Sequence, residues 1–122
     1  SALAFSVSAN TKYNFRFRLI VDSPAAADFK FQLTGPASPT AVRYAAVYHV
    51  DGRAGSSGIL AAVTAFSTST SMTAADLGTG LEIWGYLDNG ANAGTVTLQW
   101  AQNAASGTTT VYMGSNLEYR AF

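Results

Sequence analysis

Cysteine is absent from the 122 residues and histidine occurs once. Disulfides and thiolate metal sites are therefore excluded, and a histidine-rich metal site cannot be assembled within one chain. Charge is scarce as well: Lys and Arg number 7, Asp and Glu number 7, and together they make up 11% of the residues, against about 25% in ordinary soluble domains. The formal net charge of zero removes the attraction that dominates nucleic-acid binding and docking on anionic bilayers. No nucleic-acid and no membrane partner is expected. No run approaches the roughly 20 apolar residues of a membrane span, and Ser1-Ala2-Leu3-Ala4-Phe5 lacks the basic-then-apolar order of a secretory signal. The first residue is not methionine, as expected of a processed product or a piece of a longer polypeptide. Length predicts one domain over residues 1–122, large enough to hold a real core without staples.

What is present is alternation. Hydrophobic residues make up 48% of the chain, much of it alanine, so the heavier core must come from Phe, Tyr, Leu, Ile, Val and Trp. From Thr11 to Asp22 they keep period two, with Tyr13, Phe15, Phe17, Leu19 and Val21 on one face and Asn14, Arg16 and Arg18 on the other. This is the pattern of a strand wet on one side. Leu3-Phe5-Val7, Phe29-Phe31-Leu33, Val42-Tyr44-Ala46-Tyr48-Val50, Ile59 to Phe66, Leu81-Ile83-Gly85-Leu87, Val96-Leu98-Trp100, Val111-Met113 and Leu117-Tyr119 repeat it. Turn chemistry separates them at Asp22-Ser23-Pro24, Gly35-Pro36, Asp51-Gly52, Asp88-Asn89-Gly90 and Ser106-Gly107. Thr73-Ala74-Ala75-Asp76 followed by Gly78 predicts at most one short helical turn near residues 73–78. The Ser/Thr-rich run from Ser67 to Thr73 predicts a loop connecting two sheets. About eight or nine short strands without a sustained helical period predict an all-β, antiparallel two-sheet sandwich, jelly-roll-like rather than immunoglobulin-like.

Catalytic constellations are thin. His49 and Asp51 lie two apart with Ser56 and Ser57 beyond, but no Gly-x-Ser-x-Gly elbow accompanies them. His49 reads as an ordinary strand or rim residue. Among the acids, Asp22, Asp28, Glu82, Asp88 and Glu118 sit at turns or on polar strand faces, where a solvated or arginine-paired carboxylate is the default rather than a glycosidase pair. Asp88-Asn89-Gly90-Ala91-Asn92 resembles half of a calcium loop but lacks the later ligating glutamate, and fits a hairpin turn as well. Gly52 to Gly58 is glycine-rich without the Gly-Lys-Ser/Thr of a phosphate cradle. No catalytic residue, no metal and no cofactor is expected.

The aromatic residues carry more. Trp100 is in phase with Val96 and Leu98 and is expected in the core, whereas Trp84 and Tyr86 are out of phase with Leu81 and its companions. They cover the opposite face of their strand, beside Glu82, and large apolar rings left in water mark an interaction surface. Val47 raises the same question opposite Tyr44 and Tyr48, as does Ile20 opposite Leu19 and Val21. Trp84, Tyr86, Val47 and Tyr48, with Arg16 and Arg18 on the polar face of their own strand, form the candidate interface. A low-charge surface costs little to desolvate, so a homo-oligomer is expected, with a trimer favoured.

Three segments carry a family likeness. Ala9-Asn10-Thr11-Lys12-Tyr13-Asn14-Phe15-Arg16-Phe17, Asp28-Phe29-Lys30-Phe31-Gln32-Leu33-Thr34-Gly35-Pro36 and Gly114-Ser115-Asn116-Leu117-Glu118-Tyr119-Arg120 resemble β-sandwich domains of tailed-bacteriophage virion proteins, found in head-decoration, tail-tip and fibre components. Residues 53–80 carry no such likeness. The resemblance implies a non-catalytic domain located in the virion, often trimeric, that binds capsid or tail proteins or a host surface, with capsid decoration or another shell-bound role preferred. The competing expectation is a carbohydrate- or receptor-binding sandwich, at a tail-fibre tip or in a secreted module, whose exposed rings stack on a glycan.

Overall fold

The structure is a computed structural model. It describes residues 3–23, 28–49, 57–72, 79–102, 104–112 and 114–122, with the backbone alone for residues 48, 49, 57–61, 72 and 79. The strands are β1 (Ala4–Val7), β2 (Lys12–Asp22), β3 (Phe29–Thr34), β4 (Ala41–His49), β5 (Ser57–Val63), β6 (Thr70–Met72), β7 (Thr79–Asp88), β8 (Gly94–Gln102), β9 (Thr110–Val111) and β10 (Asn116–Ala121). Among the described residues there is no helix, and none long and apolar enough to cross a membrane. The helical turn expected near residues 73–78 lies outside the described residues.

The smaller sheet has the order β1-β8-β3-β6 and the larger has β10-β2-β7-β4-β5, with β9 also pairing β2. Every described pairing is antiparallel. The logic of this order is that of one long hairpin, β1 against β8, β2 against β7, β3 against β6 and β4 against β5, rolled so that β8 also meets β3 and β7 also meets β4. That is the jelly roll, and β10 is an addition at its β2 edge. β4 and β5 are the one consecutive pair among the first eight strands to share a sheet. The other connections within the roll pass from one sheet to the other.

The core follows from alternation. β2 buries Tyr13, Phe15, Phe17, Leu19 and Val21, all at 5% exposure or less; Ile83 beside Phe17 on β7, and Phe29, Phe31, Leu33 and Leu98 on the facing sheet, are sealed at 2% or less. Phe5 lies against Tyr13 and Phe15, with ring centroids 6.0 and 5.8 Å apart. Tilted contacts at such distances are favourable for the aromatic quadrupole.

Three expectations are revised. Asp88 to Asn92 is not a hairpin turn, because β7 and β8 belong to different sheets. Instead Asn89, 1% exposed, donates its Nδ2 to the Ser8 and Asn92 carbonyls at 2.9 Å each, tying this crossing to the β1–β2 crossing. Residues 64–69 lead from β5 in one sheet to β6 in the other, but Thr70–Met72, expected within the loop, is itself a strand on β3, and Thr73 lies outside the described residues. Trp100 is 38% exposed rather than buried. It pairs with Phe31 on one side, while the pairing of β1 with β8 stops at Thr97, so no described strand covers its other flank.

Candidate interaction surface

The outer face of the larger sheet is built by the even-numbered positions of β2, β7 and β10 and the odd-numbered positions of β4. Strand register sets them in rows. Glu118, Arg16, Trp84 and Ala45 form one row across β10, β2, β7 and β4; Arg120, Asn14, Tyr86 and Arg43 form the next; Asn116, Arg18, Glu82 and Val47 form a third. Trp84 is 45% exposed and Ile20 is 44% exposed, while Tyr86 and Val47 are half-buried. The structure thus gathers Trp84, Tyr86, Val47, Arg16 and Arg18 on one surface. Tyr48 stands in register with Leu81, and its side chain, like that of His49, lies outside the described residues, as does Asp51 altogether.

Gly85 explains how two large rings come to bracket one position and both point outward. It occupies the inward place between Trp84 and Tyr86, where a Cβ would lie 2.6 Å from Cζ of Phe15 and 2.7 Å from Cβ of Tyr44. The Phe15 ring fills the room that a side chain would need. Tyr86 in turn meets Phe122, with ring centroids 6.0 Å apart, so the aromatic surface runs from β7 past β2 to the end of β10.

Charge on this face is paired in a ladder. Glu118 meets Arg16 at 3.0 Å, Arg16 meets Glu82 at 3.4 Å, and Glu82 meets Arg18 at 3.6 Å. Lys12 and Asp88 add a looser contact at 3.8 Å. Glu82 and Glu118 are therefore bridged by one guanidinium. Exposed ion pairs of this sort contribute about 0–1 kcal/mol each. Their larger effect is to hold Arg16 alongside Trp84, where a shallow depression of ≈ 510 Å³ opens between Asn14, Arg16, Trp84, Glu118 and Arg120.

The opposite surface is chemically unlike it. Ser6, Thr95, Thr97, Gln99, Gln32 and Thr34 line the outer face of the smaller sheet with uncharged polar groups, and Gln32 donates to Gln99 at 2.7 Å. Its broad depression of ≈ 690 Å³ lies beside Trp100 and Gln99, with Lys30 the charged side chain on its wall. No group of three or more metal-ligating side chains is present among the described residues.

Sequence reasoning found the rings on β7 and the arginines of β2, but missed Glu118, Arg120, Arg43 and Phe122 as members of the same surface. The signal exists only across strands, in the register, and not along any one segment. Fold and surface together define a jelly-roll β-sandwich that displays an aromatic, charge-laced sheet. Compared with protein-family models, curated proteins and solved structures, the chain matches none.

Proposed function

We propose that the chain is a non-catalytic structural domain of a virion, held to capsid or tail proteins or to copies of itself by the outer face of its larger sheet. The observation that carries this reading is Trp84, 45% exposed on a central strand. About 100 Å² of its ring faces water, and covering that area is worth about 2–3 kcal/mol at roughly 25 cal/mol per Å². A partner surface that brings its own apolar centre and completes the Glu118–Arg16–Glu82–Arg18 ladder at the rim would have the usual anatomy of an interface. Jelly rolls recur in viral shells and in lectins, and the likeness of β2, β3 and β10 to phage virion domains supports the first of these.

The second reading is a glycan-binding domain, supported by the same flat ring beside Asn14 and Arg16. Two measurements separate them. Mass spectrometry of purified virions should recover peptides of this chain, and a folded Trp84→Ala variant should fail to be incorporated. Absence from particles, with binding to a glycan array that Trp84→Ala abolishes, would replace the structural reading by the carbohydrate one.

A further inference from the structure

Strand β10 ends the larger sheet on its β2 side, and among the described residues no strand pairs with its other edge. The direction of its backbone groups is set by one hydrogen bond: the Phe122 N–H donates to the Lys12 carbonyl at 3.0 Å. In an antiparallel ladder each residue sends its N–H and C=O to one side, and successive residues alternate. Arg120, Glu118 and Asn116 therefore face β2, and Leu117, Tyr119 and Ala121 aim their amide and carbonyl groups outward. Proteins commonly blunt such an edge with Pro, a bulge or repeated like charges. β10 has no Pro, its register on β2 is unbroken from Asn116 to Ala121, and its two charges are of opposite sign. Glu118 already meets Arg16, whereas Arg120 joins no ion pair among the described residues.

We propose that this edge pairs with β10 of a second copy, antiparallel and centred on Tyr119. Hydrogen bonding requires outward-facing residues to stand opposite outward-facing residues, which leaves few registers near the middle of the strand. Centring on Glu118 sets Glu118 against its own counterpart, and centring on Arg120 sets two arginines together. Centring on Tyr119 instead sets Glu118 against Arg120 of the second copy, and the two-fold axis repeats the pair. Leu117 then exchanges hydrogen bonds with Ala121 of the second copy, and Tyr119 with its counterpart. Opposite charges directly across a ladder stabilise it and like charges destabilise it, so charge selects this register. Tyr119 fits the centre: its ring stacks on Phe5 at 4.5 Å and 18°, yet 53% of the residue is exposed, and the second copy's ring arrives on the open side. The contact is isologous, so it builds even-numbered assemblies rather than the trimer expected from sequence. Its hydrogen bonds belong to the edge, while Glu118 and Arg120 also rim the Trp84 face; the contact does not require Trp84, so a folded Trp84→Ala variant should still cross-link.

The test exploits the absence of cysteine from the chain. Opposed residues of a hydrogen-bonded pair have Cα atoms about 5.5 Å apart, within reach of a disulfide. Leu117→Cys and Ala121→Cys chains, mixed under mild oxidation at high concentration, should cross-link at least about tenfold faster than either chain alone. Arg120→Glu in both should slow that cross-linking about tenfold, since each opposed pair then carries like charge. Adding Glu118→Arg to it should restore the rate. Thermal melts confirm that each variant is folded, and a Tyr119→Pro variant, which loses the central outward N–H together with the ring stacked on Phe5, should sediment as a monomer. Equal rates in the mixed and unmixed samples, fastest linkage of Leu117→Cys to itself, or an assembly unmoved by Arg120→Glu would overturn the proposal.

Discussion

Replacing Gly85 with alanine should destabilise the protein far more than adding one methyl group to a strand ordinarily does. The new Cβ would lie 2.5 Å from the Arg43 carbonyl oxygen, 2.6 Å from Cζ of Phe15 and 2.7 Å from Cβ of Tyr44. Ordinary carbon contacts begin near about 3.5 Å, so three neighbours must each give way by roughly an ångström. Two of them belong to β4 main chain or the atom attached to it, and moving them means loosening the β4–β7 ladder. The Phe15 ring is little freer: it is 3% exposed and held between Phe5 and Phe17, with centroids 5.8 and 5.9 Å away. Overpacking of this kind costs about 1–3 kcal/mol, occasionally more, and the lower chain entropy of alanine returns about 0.5–1 kcal/mol. Because three contacts are violated at once, the upper end of that cost applies and a net loss of about 2 kcal/mol is expected. With a urea slope of about 1–2 kcal/mol per molar, the unfolding midpoint should fall by about 1–2 M. Tryptophan fluorescence and far-ultraviolet circular dichroism would read it. Trimming the ring in the Phe15→Leu, Gly85→Ala double variant should recover part of the loss, with a coupling of about 1 kcal/mol, while the clash with the Arg43 carbonyl persists. A Gly85→Ala midpoint within about 0.3 M of the parent, without change of slope, would refute the packing argument.

Burial pushes the Tyr44 phenol upward, and the Leu33 backbone offsets this only in part. A phenol raised on folding contributes stability that is intact below the unfolded value of about 10 and lost as pH rises through the folded value. Urea midpoints should therefore hold up to about pH 9 and drop as pH rises past about 10, and Tyr44→Phe should reduce the drop. Because no hydrogen-bond partner meets the geometry required by the Tyr44 hydroxyl, that variant should cost less than about 1 kcal/mol at neutral pH. Asn89→Ala removes the side-chain bonds to Ser8 and Asn92 inside a buried crossing and should cost about 1–3 kcal/mol, read by the same titration. Arg16→Ala breaks both its contacts with Glu82 and Glu118, yet these are exposed, so thermal melts at low and high salt should show a change below about 1 kcal/mol that shrinks further with salt.

Much of the sandwich was readable from period-two spacing because alternation is local: Phe15, Phe17 and Leu19 could occupy one face only if Arg16 and Arg18 occupied the other. The same rule put Trp84 and Tyr86 outside. Trp100 shows its limit. Its phase is correct for the core, but burial also needs a neighbour on each flank, and β1 stops short of it. Asp88-Asn89-Gly90 reads equally well as a hairpin or as a crossing between sheets, since the turn residues are the same for both. The difference lies in whether the next strand returns beside β7 or beside β1, a decision taken by residues far away in the chain.

Local chemistry determined which side chains face inward and roughly where the strands lie. Those properties depend on neighbours one or two residues apart. Only the rolled fold decided that Glu118, Arg16, Trp84 and Ala45 form one row, that Gly85 makes way for Phe15, and that β10 ends the larger sheet with the backbone of Tyr119 facing out from the edge. Such juxtapositions join residues up to 102 positions apart, and their register is set by how the long hairpin rolls up, which no single segment encodes.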